Sequence, residues 1–270
     1  MSDTNALAAL LDALRPWHEK IVFVGGWAHR LHRLHASATA PRYEAIVTKD
    51  ADVAFASHEQ LQGDMSKALA DAQFTKRLSG DARPPVSHFH FGDETSEFYA
   101  EFLTPLSGSG YRRDGSADET VEVAGVTAQK LRHLEILLVA PWLIEISPSD
   151  AYPLSAATTI RVANPVSFMV QKLLIHSVRA PEKRPQDVLY LHDTVELFER
   201  SLPLLKSLWN ERVAPTLSAK QRTEVPRQIQ EMFGSETDTL RSAADIPKDR
   251  QLNTNEMRIK CEFGLKEILL

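Results

Sequence analysis

The hydrophobic pattern of this chain changes character near residue 163. Before it, short apolar runs alternate with helical stretches; after it, the spacing is helical almost throughout. Leu7, Leu10, Leu11 and Leu14 recur at the interval of one helix face and predict a helix over 5–19. Residues 21–24, Ile-Val-Phe-Val, form a short continuous apolar run of strand length that ends at Gly25-Gly26. Residues 27–35 return to helical spacing, with Leu31 and Leu34 inward and His29, Arg30 and Arg33 outward. Residues 36–44 read as loop, 50–56 as a strand, 58–73 as a helix and 74–78 as a strand. A turn-rich break at 80–85 precedes an alternating strand at 86–91, and Gly92-Asp-Glu-Thr95 reads as a hairpin-like turn. Residues 98–103 alternate again, with Phe98, Ala100 and Phe102 on one face and Tyr99, Glu101 and Leu103 on the other. The glycine-rich polar stretch 107–119 reads as a mobile loop. Strands are expected at 121–126, 143–146 and 159–163, and a helix at 131–139. Asn164-Pro165 then supplies an N-cap and a first-turn proline to a helix whose apolar stripe is Val166, Met169, Val170, Leu173 and Leu174. The pattern predicts an α/β domain over 1–163 and a mostly helical domain over 164–270.

Composition narrows the setting. The 270 residues are 43% hydrophobic and 25% charged, ordinary for a globular chain with ample core. Apolar runs fall far short of the ~20 residues a membrane span needs, so no membrane partner is expected. A single cysteine, Cys261, excludes an intrachain disulfide and a cysteine-based zinc site. The first five residues, Met-Ser-Asp-Thr-Asn, lack the basic and apolar regions of a secretory leader. A reducing, cytoplasmic setting is the expectation. The formal net charge of −5 argues against indiscriminate nucleic-acid binding but leaves room for a local basic groove.

The candidate chemistry begins at residue 25. In a strand alternate side chains share a face, so Asp50 and Asp52 point one way while Ala51, Val53 and Phe55 point to the core. Two parallel carboxylates on a rigid strand suit hard divalent cations, which stabilise the attacking and leaving oxygens of a phosphoryl displacement. Gly25 and Gly26 carry no Cβ, so their backbone can approach phosphate oxygens closely, ahead of a helix N-terminus that favours an anion. Glu101, in mid-strand, is the third carboxylate.

Gly25-Gly26 followed by Asp50-x-Asp52, with Glu101 on a later strand, resembles the signature of the nucleotidyltransferase (polymerase-beta-like) superfamily. The resemblance implies an α/β palm with a mixed sheet, followed here by the mostly helical domain. It also implies an NTP substrate with phosphates at Gly25 and Gly26, two Mg²⁺ ions at Asp50, Asp52 and Glu101, and transfer of a nucleoside monophosphate to a hydroxyl. Many relatives carry Asp at the third position, so Glu101 is a departure.

Lys172, Arg179 and the run Lys183-Arg-Pro-Gln-Asp187 resemble a second motif, that of the AbiEii/MenT-like toxin branch. There a Lys and an Asp on consecutive helices of the second domain belong to the site. The resemblance implies that Lys172, with Arg179, holds the triphosphate, and that Asp187 orients Lys172 or the acceptor hydroxyl, or deprotonates that hydroxyl. A lysine beside an apolar stripe also snorkels to water, and a first-turn Asp also answers the helix dipole, without any chemistry. The toxin resemblance implies RNA as acceptor, foremost a tRNA 3′ end, and an antitoxin partner. A small-molecule or protein hydroxyl, or a non-catalytic interaction module, stays open. Arg112, Arg113, Arg179, Lys183 and Arg184 are the candidate basic cluster for RNA. Neither His88-x-His90 nor His29, His32 and His35 has a clear third ligand, so zinc is not the expectation. The last seventy or so residues match no motif.

Overall fold

The computed structural model describes residues 3–92, 97–149 and 151–270. The chain divides into two compact units, Met1–Ala28 with Val47–Ala163, and His29–Ile46 with Asn164–Leu270.

The first unit is built on a mixed sheet. Its elements are α1 (Asp3–Ala13), β1 (Val22–Val24), α2 (Gly25–Leu31, whose last turn passes into the second unit), β2 (Asp50–Ala54), α3 (Met65–Asp71), β3 (Phe74–Ser79), β4 (Val86–Phe91), β5 (Tyr99–Pro105), β6 (Thr120–Val123), β7 (Val126–Leu131), α4 (Leu134–Leu137), β8 (Trp142–Ile146) and β9 (Thr158–Val162). The strand order is β3-β4-β5-β2-β1-β9-β8, with β7 on β5 and β6 on β7. β2 runs parallel to β5 and antiparallel to β1. Alternation along each strand separates the two faces. Ala51, Val53, Phe89, Ala100 and Phe102 are buried on one, where Phe89 meets Phe102 edge-to-face at 5.7 Å. The other face carries the polar residues of β2, β4 and β5.

Local differences from the sequence pattern have local causes. The 58–73 helix is only α3, because Asp64 caps it there by accepting a hydrogen bond from the Lys67 backbone N–H at 2.9 Å. The 121–126 strand is divided between β6 and β7. Ala124 (φ 49°) and Gly125 (φ 81°) make the two-residue turn of a tight hairpin, with Val123 paired to Val126. That hairpin takes the residues up to Leu131, which leaves α4 as a single turn. Around α2 the expected orientation holds at Leu31, which is buried, but not at His29 or Leu34. His29 and His32 are buried and Leu34 is 45% exposed. For Leu34 the cause is that the α-helix gives way at His32 to a 3₁₀ turn, which advances the side chains out of phase with a 3.6-residue wheel. The hairpin-like turn read at 92–95 falls largely on residues 93–96, outside the described residues.

The second unit holds α5 (Pro165–Ile175), α6 (Arg184–Leu197), α7 (Leu202–Leu208), α8 (Ala219–Phe233), α9 (Asp238–Ala244) and α10 (Thr254–Leu269). Asn164 caps α5, its side chain accepting from the Ser167 backbone N–H at 2.9 Å, with Pro165 in the first turn. The excursion 29–46 is tied into this unit. Thr39 N–H donates to Leu197 O at 2.7 Å, and Arg250 stacks 3.4 Å over the Tyr43 ring. No helix among the described residues is long and apolar enough to cross a membrane.

Candidate active site

The polar face of the first unit is ordered by strand register. Arg77 on β3 lies opposite His88 on β4; His88 lies opposite Glu101 on β5; Glu101 lies opposite Asp52 on β2. One step along the strands, Thr75, His90, Tyr99 and Asp50 form a second row. Directly paired residues share a face, so these side chains stand together. Asp50, Asp52 and Glu101 each offer a carboxylate oxygen, and those atoms lie within 4.8 Å of one another. An all-oxygen set of this kind suits a hard divalent cation.

Two neighbours shape the set. Gly25 follows β1, whose Val24 pairs with Asp52. Its φ is +64°, and a Cβ there would stand 1.8 Å from Asp52 Oδ2. Only glycine leaves the Asp52 carboxylate its place, so the Gly25 position forms part of the carboxylate's cradle. Gly26 is the next residue of α2. On the other side, Thr48 Oγ1 donates to Asp50 Oδ1. These features fit the residues to a divalent cation.

Three rings flank the carboxylates and were not assigned a role from sequence. Tyr99 stacks on His88 at 5.0 Å and on His90 at 5.3 Å between centroids. Burial first, then Asp50, Glu101 and Asp52, pushes the Tyr99 phenol up to about 12, so it stays protonated. His88 Nε2 lies 3.3 Å from Glu101 Oε2. The sequence signal for this neighbour was His88-x-His90 alternation, which placed both rings on one strand face without naming the strand they meet.

Lys172, Arg179 and Asp187 come together in the second unit. Lys172 Nζ lies 2.6 Å from Asp187 Oδ1, and Arg179 Nε donates to Asp187 Oδ2 at 3.0 Å. Lys172 does not snorkel: it is buried with Asp187, 5.0 Å from the ring centroids of both Phe168 and Tyr190. Asp187, in the first turn of α6, is a buried ion-pair partner of both cations. The other candidate cations are partly committed. Arg184 donates to Arg179 O at 2.9 Å. In the 107–119 segment, a short bridge pairs Tyr111 with Ala117, and Arg112 donates to Arg83 O at 3.0 Å. Arg113 is exposed.

A second acidic group, His192, Asp193 and Glu196, has a different character. Arg250 Nη2 holds both oxygens of Asp193, at 2.6 and 2.7 Å, and Lys260 donates to Glu196 at 2.8 Å. Its carboxylates are spent on cations of the same unit, so we read it as an ion-pair network.

A protein-family model described as "Nucleotidyltransferase" matches residues 2–214 of the chain. Among solved structures, the chain is similar to MenT4, a nucleotidyltransferase toxin from Mycobacterium tuberculosis H37Rv. The identity is 13%, over 99% of this chain and 92% of that one, with a TM-score of 0.36. No curated protein matches the chain.

Proposed function

We propose that this chain, which belongs to the nucleotidyltransferase family, moves a nucleoside monophosphate from an NTP to a hydroxyl of RNA, with a tRNA 3′ end as first acceptor. The observation that carries the reading is the pairing of Asp52 with Glu101 on adjacent parallel strands, with Asp50 completing the set within 4.8 Å. In the reaction the acceptor hydroxyl gives up its proton to solvent as its oxygen attacks the α-phosphorus, the bond from that phosphorus to the bridging oxygen breaks, and pyrophosphate leaves with the electron pair.

Asp50, Asp52 and Glu101 would hold Mg²⁺, two ions where the site is filled. A bound cation there supplies charge neutralisation at the phosphate and lowers the pKa of the attacking hydroxyl. The chain's own contributions are positional. Gly25 and Gly26 let the backbone approach phosphate oxygens without a Cβ in the way. Tyr99 keeps its proton beside the carboxylates and so offers a hydroxyl donor. Lys172 and Arg179 are assigned to the triphosphate, with Asp187 fixing both cations by its two oxygens. Two cations on one carboxylate leave a net positive charge, which supports an anionic ligand.

RNA as acceptor is supported by charge carried on the same sheet face. Arg77 is exposed and two strands from Glu101, about 10 Å away at ~4.8 Å per strand. Arg113 adds a second exposed cation in the first unit. A protein antitoxin and a cytoplasmic location accompany this reading. The test is incubation with each labelled NTP, Mg²⁺ and total cell extract. Label in RNA supports the reading; label only in protein or small molecules replaces the acceptor; no label with any NTP rejects the activity.

A further inference from the structure

We propose that His88 is a positioning residue that braces Glu101, turning one carboxylate oxygen toward itself and leaving the other for the divalent cation. The inference rests on the reading of Asp50, Asp52 and Glu101 as the cation site. A glutamate has one more rotatable bond than an aspartate, so its carboxylate sweeps a wider arc from the same backbone position. The two aspartates of β2 are held short and close by Thr48 and the Gly25 cradle. Glu101 needs an equivalent constraint, and the register supplies it from β4.

His88 stands directly opposite Glu101, and its Nε2 reaches within 3.3 Å of Oε2. The imidazole is itself held. It stacks on Tyr99 at an interplanar angle of 27°, and Tyr99 is flanked by His90 in turn at 30°. The brace is thus a ring locked by a ring, both on strands, pressing on a side chain that is only 18% exposed. Outer partners of this kind orient a ligand oxygen and raise its affinity for the ion. The chemistry asks for a donor at the Nε2 position, with the ring proton placed there, and not for an imidazole as ligand.

The experiment is a Mn²⁺ titration of the full-length protein without nucleotide, followed by electron paramagnetic resonance. It compares wild type, His88→Ala, His88→Gln and His88→Asn, and repeats His88→Ala in a Glu101→Asp background. His88→Ala should weaken Mn²⁺ binding about 10-fold or more. His88→Gln keeps an N–H at the reach of Nε2 and should bind within about 3-fold of wild type. His88→Asn is one bond shorter and should fail as Ala does; it carries the comparison if the Ala variant loses its fold. In the Glu101→Asp background His88→Ala should cost nothing further, because the shorter side chain no longer meets the brace. Wild-type affinity in His88→Ala overturns the proposal and leaves the cation site standing. Equal loss in His88→Gln and His88→Ala overturns it in favour of a direct imidazole ligand. Absence of Mn²⁺ binding by the wild type, up to millimolar, overturns the cation reading and the brace with it.

Discussion

Gly25→Ala tests the cradle with one methyl group. The added Cβ would stand 1.8 Å from Asp52 Oδ2 and 2.8 Å from its Cγ, whereas ordinary contact begins near 3.4 Å. The carboxylate must therefore withdraw by about 1.6 Å, the difference of those two distances. Ligand atoms that lie within 4.8 Å of one another cannot absorb that shift and keep cation contacts, which tolerate about 0.2 Å. A misplacement of ~1 Å costs on the order of 100-fold in rate, and at least that loss of transfer is expected. Stability has two parts. The left-handed backbone at φ +64° costs an alanine about 1–2 kcal/mol wherever Asp52 points. The clash adds to it only while the Asp52 carboxylate is present. The assay is a double-mutant cycle on melting temperature and Mn²⁺ affinity, comparing Gly25→Ala in wild type and in Asp52→Ala. Gly25→Ala should destabilise wild type more than the Asp52→Ala protein. Equal costs in both backgrounds, or a Gly25→Ala protein with normal Mn²⁺ affinity and transfer, would show that Gly25 does not cradle the Asp52 carboxylate.

Other outcomes follow from the same geometry. Lys172→Met removes one cation from a buried carboxylate that keeps Arg179; a loss of about 2 kcal/mol is expected, together with weaker NTP binding. Adding Asp187→Asn should return stability without returning NTP affinity; if both return, the trio only supports the fold. His29 is held well below the ordinary histidine value, by burial first and then by His32, Arg33, Lys172 and Arg250. Its unfolded form takes a proton near pH ~6.5 while the folded form stays neutral, so its share of stability is present above ~6.5 and lost as pH falls below it. Both ring nitrogens lack a hydrogen-bond partner, so His29→Phe should flatten the acid limb of urea-melt stability between about pH 6.5 and 5; an unchanged slope contradicts this. Removing Arg77 and Arg113 together should reduce the salt slope of RNA binding by about 1.4 units, at ~0.7 per single-strand phosphate, without changing NTP affinity.

The parts of the site that depend on short-range periodicity were legible in the chain. Asp50-x-Asp52 share a face because strands repeat every two residues, and Glu101 was placed by the same alternation. What joins them is a long-range register, Arg77 to His88 to Glu101 to Asp52, and no local pattern states which strands will be neighbours. His88 was therefore visible as one of a pair and invisible as a partner of Glu101. Lys172 and Arg179 are seven apart, about two helical turns if the helix ran on, but α5 ends at Ile175. They meet because the 176–183 turns carry the chain round to Asp187, which also explains why Lys172 stays buried instead of snorkelling. At Leu34 the helical wheel failed for a physical reason, the change to a 3₁₀ turn at His32. His29, upstream of that turn, was expected to face outward and is instead buried, with its ring 4.9 Å from the Tyr190 ring.

Pyrophosphate release from labelled NTP in the presence of RNA, followed against Mg²⁺ concentration in wild type and Asp52→Asn, tests the carboxylate site most directly. Asp52 pairs with Glu101 in the carboxylate set, and its replacement leaves shape and size nearly unchanged. Wild type should show saturable Mg²⁺-dependent release, and Asp52→Asn at least ~100-fold slower release at an unchanged melting temperature. Release at the wild-type rate by Asp52→Asn, or release by the wild type in excess chelator, would contradict a Mg²⁺ site at these carboxylates.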